Sequence, residues 1–482
     1  MHLPALMVVG LGLALSSAPT AAALQDGCAG DIIAARQKQG VFGGKTVRYA
    51  ACVERYEARD EKGTAVASLT AVSYVAAKAK AVRPIIFAFN GGPISASAIL
   101  HMGALGPKRV AVPDDVTAPA STYRVVDNVH SPLDVADIVF FDPAGTGLSV
   151  LAPGVDPRSQ FSITADARQL QQLVLGWTRA HGREDSPVYL LGESYGTLRA
   201  PAAAEQLASA GRPPAGVILL GQAVNIIEYA QRPGNIISYA LSLPTLAAAA
   251  WWHGKADRRG RDFDTFMADA RAFGGGDYLA ALYAGGTVAA GQQQAVADEL
   301  AAFTGIPAAE WLERRLRMTK TDYQRRLFPG ERLATNDARY RGPANGPDPF
   351  KPVVDSYQSG LMTYLRDELG VESDGYVASS PLVKDLETWD WGVSKTPFGD
   401  WPYARAITGL MKAQPGFRLF VGNGYHDTQT TVGAMDYLLS QNDWPAARVR
   451  SRYYQGGHMA YSVESSLIGF NDDLRTMLTG QW

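Results

Sequence analysis

Cysteine is scarce. The 482 residues hold only two, Cys28 and Cys52, both near the start of the chain. Two thiols exclude a four-cysteine metal site, and no pair of histidines shows ligand spacing, so the sequence predicts no metal site. Histidine is scarce as well, seven in all, which makes the search for a catalytic imidazole one of elimination. Neither sign of charge dominates. Forty-five basic against 47 acidic residues leave a net charge of −2, which argues against a nucleic-acid or anionic-membrane partner. The apolar run Leu3–Leu15 is too short to span a bilayer.

That same uncharged run, followed by Ala-Pro-Thr-Ala-Ala-Ala at 18–23, reads as a secretory signal, although its n-region offers only His2 in place of Lys or Arg. The expected mature protein is secreted or periplasmic, with no membrane attachment after cleavage. In such a compartment Cys28 and Cys52 most simply form one bridge, pinning the N-terminal segment to the first strand region. About 459 residues would remain, more than a single core usually holds, so one large domain with an insertion is expected.

What is present alternates between strand and helix patterns. Val47–Arg59 and Ala65–Ala76 alternate apolar and polar residues across Lys62-Gly63, which predicts an antiparallel hairpin. Apolar runs at Pro84–Phe89, Asp137–Phe141, Val188–Leu191, Gly216–Leu220 and Phe417–Val421, with Arg448–Tyr454 last, predict strands of a covered sheet. Between them Thr164–Ala180 carries an apolar face of Ala165, Leu170, Leu173 and Trp177, with Ser162 as its cap, and Pro402–Lys412 is amphipathic. Strands alternating with helices imply a mostly parallel sheet covered on both sides.

From 228 to 395 the rhythm breaks. Phe263–Phe273 and Ala290–Phe303 are helical, while Trp251, Trp252 and the glycines 274–276 fit no strand–helix unit. The expected organisation is a signal at 1–23, core at 24–227, a largely helical cap insertion at 228–395 and core again at 396–482.

Gly192-Glu193-Ser194-Tyr195-Gly196 sits where such a sheet would carry a nucleophile. It follows a strand run and opens the Ala-rich helical stretch Leu198–Ala210. A serine at a tight strand-to-helix turn is lifted above the sheet edge, and the helix N-terminus supplies amides where an oxyanion develops. In sheets with this elbow the acid and then the histidine follow the serine. His2 leaves with the signal; His101, His130 and His181 precede Ser194. Of the three that follow, His253 lies in the cap and His426 directly precedes Asp427. His458, in a glycine-rich loop after the last strand, is the candidate base. Asp427, just past the strand Phe417–Val421, is the candidate acid; Asp436, on a helical stretch, is its competitor. Ser194 would attack a carbonyl, His458 would carry the proton, and Asp427 would orient the imidazole. Asn90-Gly91-Gly92-Pro93 follows an early strand, so the amides of Gly92 and Tyr195 are the candidate oxyanion donors.

Asn90–Pro93, the run Phe141–Ser149, Gly192–Gly196 with Pro201, the Gly-x-x-x-x-Asp of Gly422–Asp427, and Gly457-His458-Met459 stand in the order seen in serine carboxypeptidases. The chain resembles that family over residues 47 to 470. The resemblance implies an α/β-hydrolase fold and cofactor-free removal of residues from peptide or protein C-termini. It also implies that Asn90 and Glu193 bind the substrate's terminal carboxylate. Two carboxyls hydrogen-bond to one another only if one carries a proton, so a buried, neutral Glu193 would favour binding at acidic pH. Four positions depart from the family's pattern: Ala88 for Trp, Ile94 for Gly, Ser95 for Cys and Ala104 for Glu. They leave the triad intact but weaken the carboxylate clamp. An esterase, amidase or acyltransferase using the same triad is therefore the alternative. A non-enzymatic binding protein fits poorly with an intact triad and both glycine loops.

Overall fold

The computed structural model describes residues 27–77, 82–372, 374–383, 386–393 and 399–481; the expected signal segment lies outside them. Side chains of a strand point alternately to opposite faces, and in this sheet both faces are apolar. Nine strands run in the spatial order β1-β2-β3-β5-β4-β6-β7-β8-β9, and a short tenth, Val150–Leu151, pairs with β3. They are β1 (Asp31–Phe42), β2 (Lys45–Arg59), β3 (Ala65–Ala76), β4 (Ile85–Phe89), β5 (Asp137–Phe141), β6 (Val188–Glu193), β7 (Gly216–Leu220), β8 (Arg418–Gly424) and β9 (Val449–Tyr454). The first three are antiparallel and β3 pairs antiparallel with β5; from β5 to β9 every pairing is parallel. This is the mostly parallel sheet expected, with one more antiparallel strand. β1 escaped notice because Asp31–Phe42 mixes charged and apolar residues without alternation and exposes much of its length at the sheet edge.

Ile86, Ala88, Ile138, Phe140, Leu191 and Ile218 build one core, and their neighbours Ile85, Phe87, Val139, Phe141, Leu190 and Val217 build the other. The second core is closed by α1 (Ile163–Ala180) and α2 (Gly196–Ser209). Ser162 Oγ caps α1 by accepting from the Ala165 amide at 3.1 Å, and the predicted apolar residues Leu170, Leu173 and Trp177 are wholly buried. Each such side chain contributes about 1.5–3 kcal/mol by leaving water.

Between β7 and β8 the chain makes α3 (Ile236–Trp252), α4 (Phe263–Phe273), α5 (Ala290–Thr304) and α6 (Lys351–Tyr364), with shorter turns among them. Helices α3 to α5 share a third core with Tyr278, Trp311 and Tyr323, whereas α6 lays Val353, Tyr357 and Leu361 onto the sheet's first core. After this segment, α7 (Tyr403–Ala413) and α8 (Val432–Ser440) flank β8, and α9 (Glu464–Leu478) closes the first core.

Cys28 and Cys52 are bonded, with their Cα atoms 5.6 Å apart at a sequence separation of 24. Closing a loop of that length removes enough unfolded-chain entropy to stabilise the fold by about 3 kcal/mol. A Cys28→Ser/Cys52→Ser variant should therefore unfold at clearly lower urea concentration in an equilibrium denaturation curve. An unchanged midpoint would mean that β1–β2 pairing alone holds the segment.

Candidate active site

The strand β6 ends at Glu193, α2 begins at Gly196, and the intervening Ser194 is held at φ 60°. A non-glycine residue in the left-handed region is strained by about 1–3 kcal/mol and persists only where its surroundings hold it there. Two glycines make the turn possible. A Cβ on Gly192 would come within 2.2 Å of the Gly196 carbonyl, and one on Gly91 within 2.6 Å of the Tyr195 nitrogen. The Ser194 amide donates to Leu220 O at 2.9 Å, which ties the elbow to the end of β7.

His458 and Asp427 come from the ends of β9 and β8 and meet in the interior. His458 Nδ1 lies 2.7 Å from Asp427 Oδ2, both residues being buried. Asp427 is held by the amides of Gln429 and Thr430, at 2.8 and 3.0 Å, and by the Thr430 hydroxyl. The imidazole lies against Gly221, one residue past Leu220, so it reaches the same strand end that holds the Ser194 amide. Among the described residues Ser194 Oγ makes no hydrogen bond to the ring. Such bonds are commonly loose without substrate and tighten when it binds. The histidine loop is braced by the long insertion: His458 N donates to Asn336 O at 2.6 Å, and Gly457 N to Asp337 Oδ2 at 3.0 Å.

The ionisation of the histidines separates them. Burial pushes His101 down to about 3 and His426 down to about 4. Both therefore stay neutral, His101 bonded to the Tyr74 hydroxyl and stacked on Phe140. Burial acts on His458 in the same direction, but the charge and hydrogen bond of Asp427 outweigh it and raise the imidazole above its ordinary value. His253 bonds Ala338 O, and Asp436 lies on α8 bonded to the Tyr453 hydroxyl.

The loop Asn90–Pro93, with a cis Gly92–Pro93 bond, touches the elbow through Gly91. Sequence reasoning missed what locks the two together. Arg199 on α2 is fully buried; Nη1 donates to Asn90 O at 2.7 Å and Nε to Asp166 Oδ2 at 2.7 Å. Asp166, on α1, also accepts the Tyr195 hydroxyl at 2.9 Å. The guanidinium lies over the rings of Phe89, Phe141 and Tyr195. An arginine on the inner face of an Ala-rich helix was the available signal.

Glu193 and Asn90 are brought together. Asn90 Nδ2 donates to Glu193 Oε1 at 2.8 Å, and the Tyr461 hydroxyl donates to Oε2 at 2.5 Å. Asn90 Oδ1 accepts the Leu100 amide. No lysine or arginine pairs with Glu193 among the described residues. Burial pushes its carboxyl up to about 7, against the opposing pull of His458, Tyr461 and Asn90. Tyr461 was not singled out from sequence; it stands three residues after His458, on a turn that carries no motif.

Residues 72–215 match the family model for serine carboxypeptidases. No curated protein matches the chain. Among solved structures, Kex1Δp, a prohormone-processing carboxypeptidase from Saccharomyces cerevisiae, is similar over 89% of this chain and 92% of its own, at 14% identity and a TM-score of 0.56. A putative aryl esterase from Burkholderia cenocepacia aligns over 88% of this chain and 100% of its own, at 12% identity and a TM-score of 0.38. Homoserine O-acetyltransferase from Staphylococcus aureus aligns over 89% and 95%, at 13% identity and a TM-score of 0.36. The last two likenesses are too distant to carry weight. The sheet order and these comparisons define a serine hydrolase of the α/β-hydrolase fold. The segment matched by the serine carboxypeptidase model holds both the elbow and the Asn90–Pro93 loop.

Proposed function

We propose that this protein removes C-terminal residues from peptides through an acyl-enzyme, with Ser194, His458 and Asp427 as the triad. Ser194 Oγ attacks the scissile carbonyl while His458 Nε2 takes its proton. The oxyanion is held by the amides of Gly92 and Tyr195, and His458 passes the proton to the departing amine. Water then attacks the acyl carbonyl while giving a proton to His458, which returns it to Ser194 Oγ as the carbon–oxygen bond to the serine breaks and the acid leaves. Asp427 keeps the imidazole in the tautomer that leaves Nε2 free to accept.

The observation that carries the reading is a buried carboxyl one residue from the nucleophile, with neutral hydrogen-bond donors on both oxygens and no lysine or arginine paired with it among the described residues. An unpaired buried carboxylate is costly, so Glu193 holds a proton into the neutral range. A protonated acid beside the serine offers a donor to a substrate's terminal carboxylate, and Asn90 lies within reach of the same group. The esterase, amidase or acyltransferase reading keeps the triad; Ala88 and Ala104, both buried and unable to hydrogen-bond through their side chains, favour it.

The pH profile decides between them. His458 must be neutral to accept a proton, so kcat/KM falls as pH drops through its raised pKa. Glu193 must be protonated to bind a carboxylate, so kcat/KM for free-acid peptides falls as pH rises through about 7. Free-acid peptides should therefore give a bell with both limbs, and Glu193→Gln, whose amide donates at any pH, should lose the alkaline limb. C-terminally amidated peptides cut as fast as free acids, or aryl esters preferred at every pH, would sink the exopeptidase reading.

The long insertion, 228–395, is proposed as the cap that shapes the substrate pockets, since its residues 336 and 337 already brace the histidine loop. A secreted or periplasmic location is proposed on the disulfide and the sequence at 3–23. No helix among the described residues is long and apolar enough to cross a membrane.

A further inference from the structure

The ring of Tyr461 occupies a slot beside the π-helical turn His101–Leu105. A Cβ on Gly103 would come within 2.4 Å of Tyr461 Cε2, so only glycine there leaves room for the ring. The next residue is Ala104, buried and with no side-chain hydrogen-bonding group. Tyr357, from α6, tilts against the ring at 6.4 Å between centroids and also lies close to Gly103. Packed in this way, the phenol donates to Glu193 Oε2 at 2.5 Å and lies within hydrogen-bond reach of the Asn90 side chain.

We propose that Tyr461 is a positioning residue of the carboxylate-binding site, fixing the Glu193 carboxyl opposite Asn90 and setting the pH range over which that carboxyl can take a peptide's terminal carboxylate. The inference rests on the exopeptidase reading above and deepens it. With its own proton present, Glu193 accepts from Asn90 at Oε1 and from Tyr461 at Oε2, and turns that proton outward to the substrate. Both donors also stabilise the ionised form, so Tyr461 opposes the effect of burial. A second acid in this slot would act in the opposite sense, because like charges raise each other's pKa. The phenol therefore ends substrate binding at a lower pH than an acid pair would.

Every titratable or charged group facing Glu193 enters this balance. His458, after β9, lowers the carboxyl's pKa, and Asp427, after β8, raises it; Asn90, after β4, and Tyr461 lower it by hydrogen bonding. Tyr357 on α6 is a neutral phenol whose own ionisation burial suppresses.

Tyr461→Phe keeps the ring, and with it the packing on Gly103 and Tyr357, and removes only the donor. The experiment measures KM and kcat against pH for a free-acid peptide and for an aryl ester, in the parent protein, Tyr461→Phe and Glu193→Gln, with melting curves as a folding check. In Tyr461→Phe the alkaline rise in KM for the peptide should move upward by about one pH unit, the scale of one lost hydrogen bond to a charged group. The ester's profile should not move. An alkaline midpoint left in place, with activity merely lowered, would overturn the proposal by reducing Tyr461 to a space-filling side chain. Failure of Glu193→Gln to flatten the same limb would instead remove the exopeptidase reading, so the two failures are distinguishable.

Discussion

Ser194→Ala should abolish hydrolysis of peptides and esters alike, with kcat falling on the order of 10⁵- to 10⁶-fold, while the melting temperature stays within a degree or two of the parent's, about the scale of surface substitutions. The size of the loss follows from the proposed mechanism. Without the hydroxyl no acyl-enzyme forms, and the amides of Gly92 and Tyr195 and the His458–Asp427 pair can assist only a direct attack by water. Stability should be spared because alanine meets the same left-handed backbone as serine at φ 60°, and because Ser194 is half-buried with its hydroxyl bonded to no described residue. Fluorophosphonate labelling, followed by mass spectrometry of the labelled peptide, checks the assignment directly. Label found on another serine, or turnover by the variant within tenfold of the parent, would remove Ser194 as the nucleophile.

Arg199→Met should be the most destabilising single change near the site, at about 3–5 kcal/mol. The expected cause is the Asp166 carboxylate. Asp166 and Arg199 are both fully buried and lie 2.7 Å apart, so removing the guanidinium leaves an anion with no counter-charge in the core. The same change frees the Asn90 carbonyl, which anchors the Gly92 loop to α2. Adding Asp166→Asn to Arg199→Met should recover part of the loss, since the amide still accepts the Tyr195 hydroxyl but carries no charge. Urea denaturation of the two single variants and the double variant tests this coupling. Strictly additive losses would mean that the pair contributes as packing and not as charge.

The parts of the site that sequence carried are those whose chemistry is local. The elbow needs glycines on both sides of a serine, a strand before and a helix after, and all of these lie within a dozen residues. Asp427 and His458 could be reached by elimination because histidine is scarce and chain order limits the choice. Periodicity located the sheet strands, the Ser162 cap and helices such as Phe263–Phe273, because burial writes period 2 or 3.6 into the residues themselves. It failed at β1, where a long edge strand is polar enough to lack a period.

Sequence by itself determined the fold class, the thiol pair and the residues proposed as nucleophile, acid and base, since each is expressed by residues close together or by count. Only the tertiary structure decided which groups face Glu193 and what holds the two glycine loops together. Tyr461 is 268 positions from Glu193, and Arg199 is 109 from Asn90. No local pattern encodes a contact across such a distance, because it depends on how strands stack and helices pack. Those same packed surroundings, by removing water from one carboxyl and supplying it with neutral donors, determine the protonation on which the proposed substrate recognition rests.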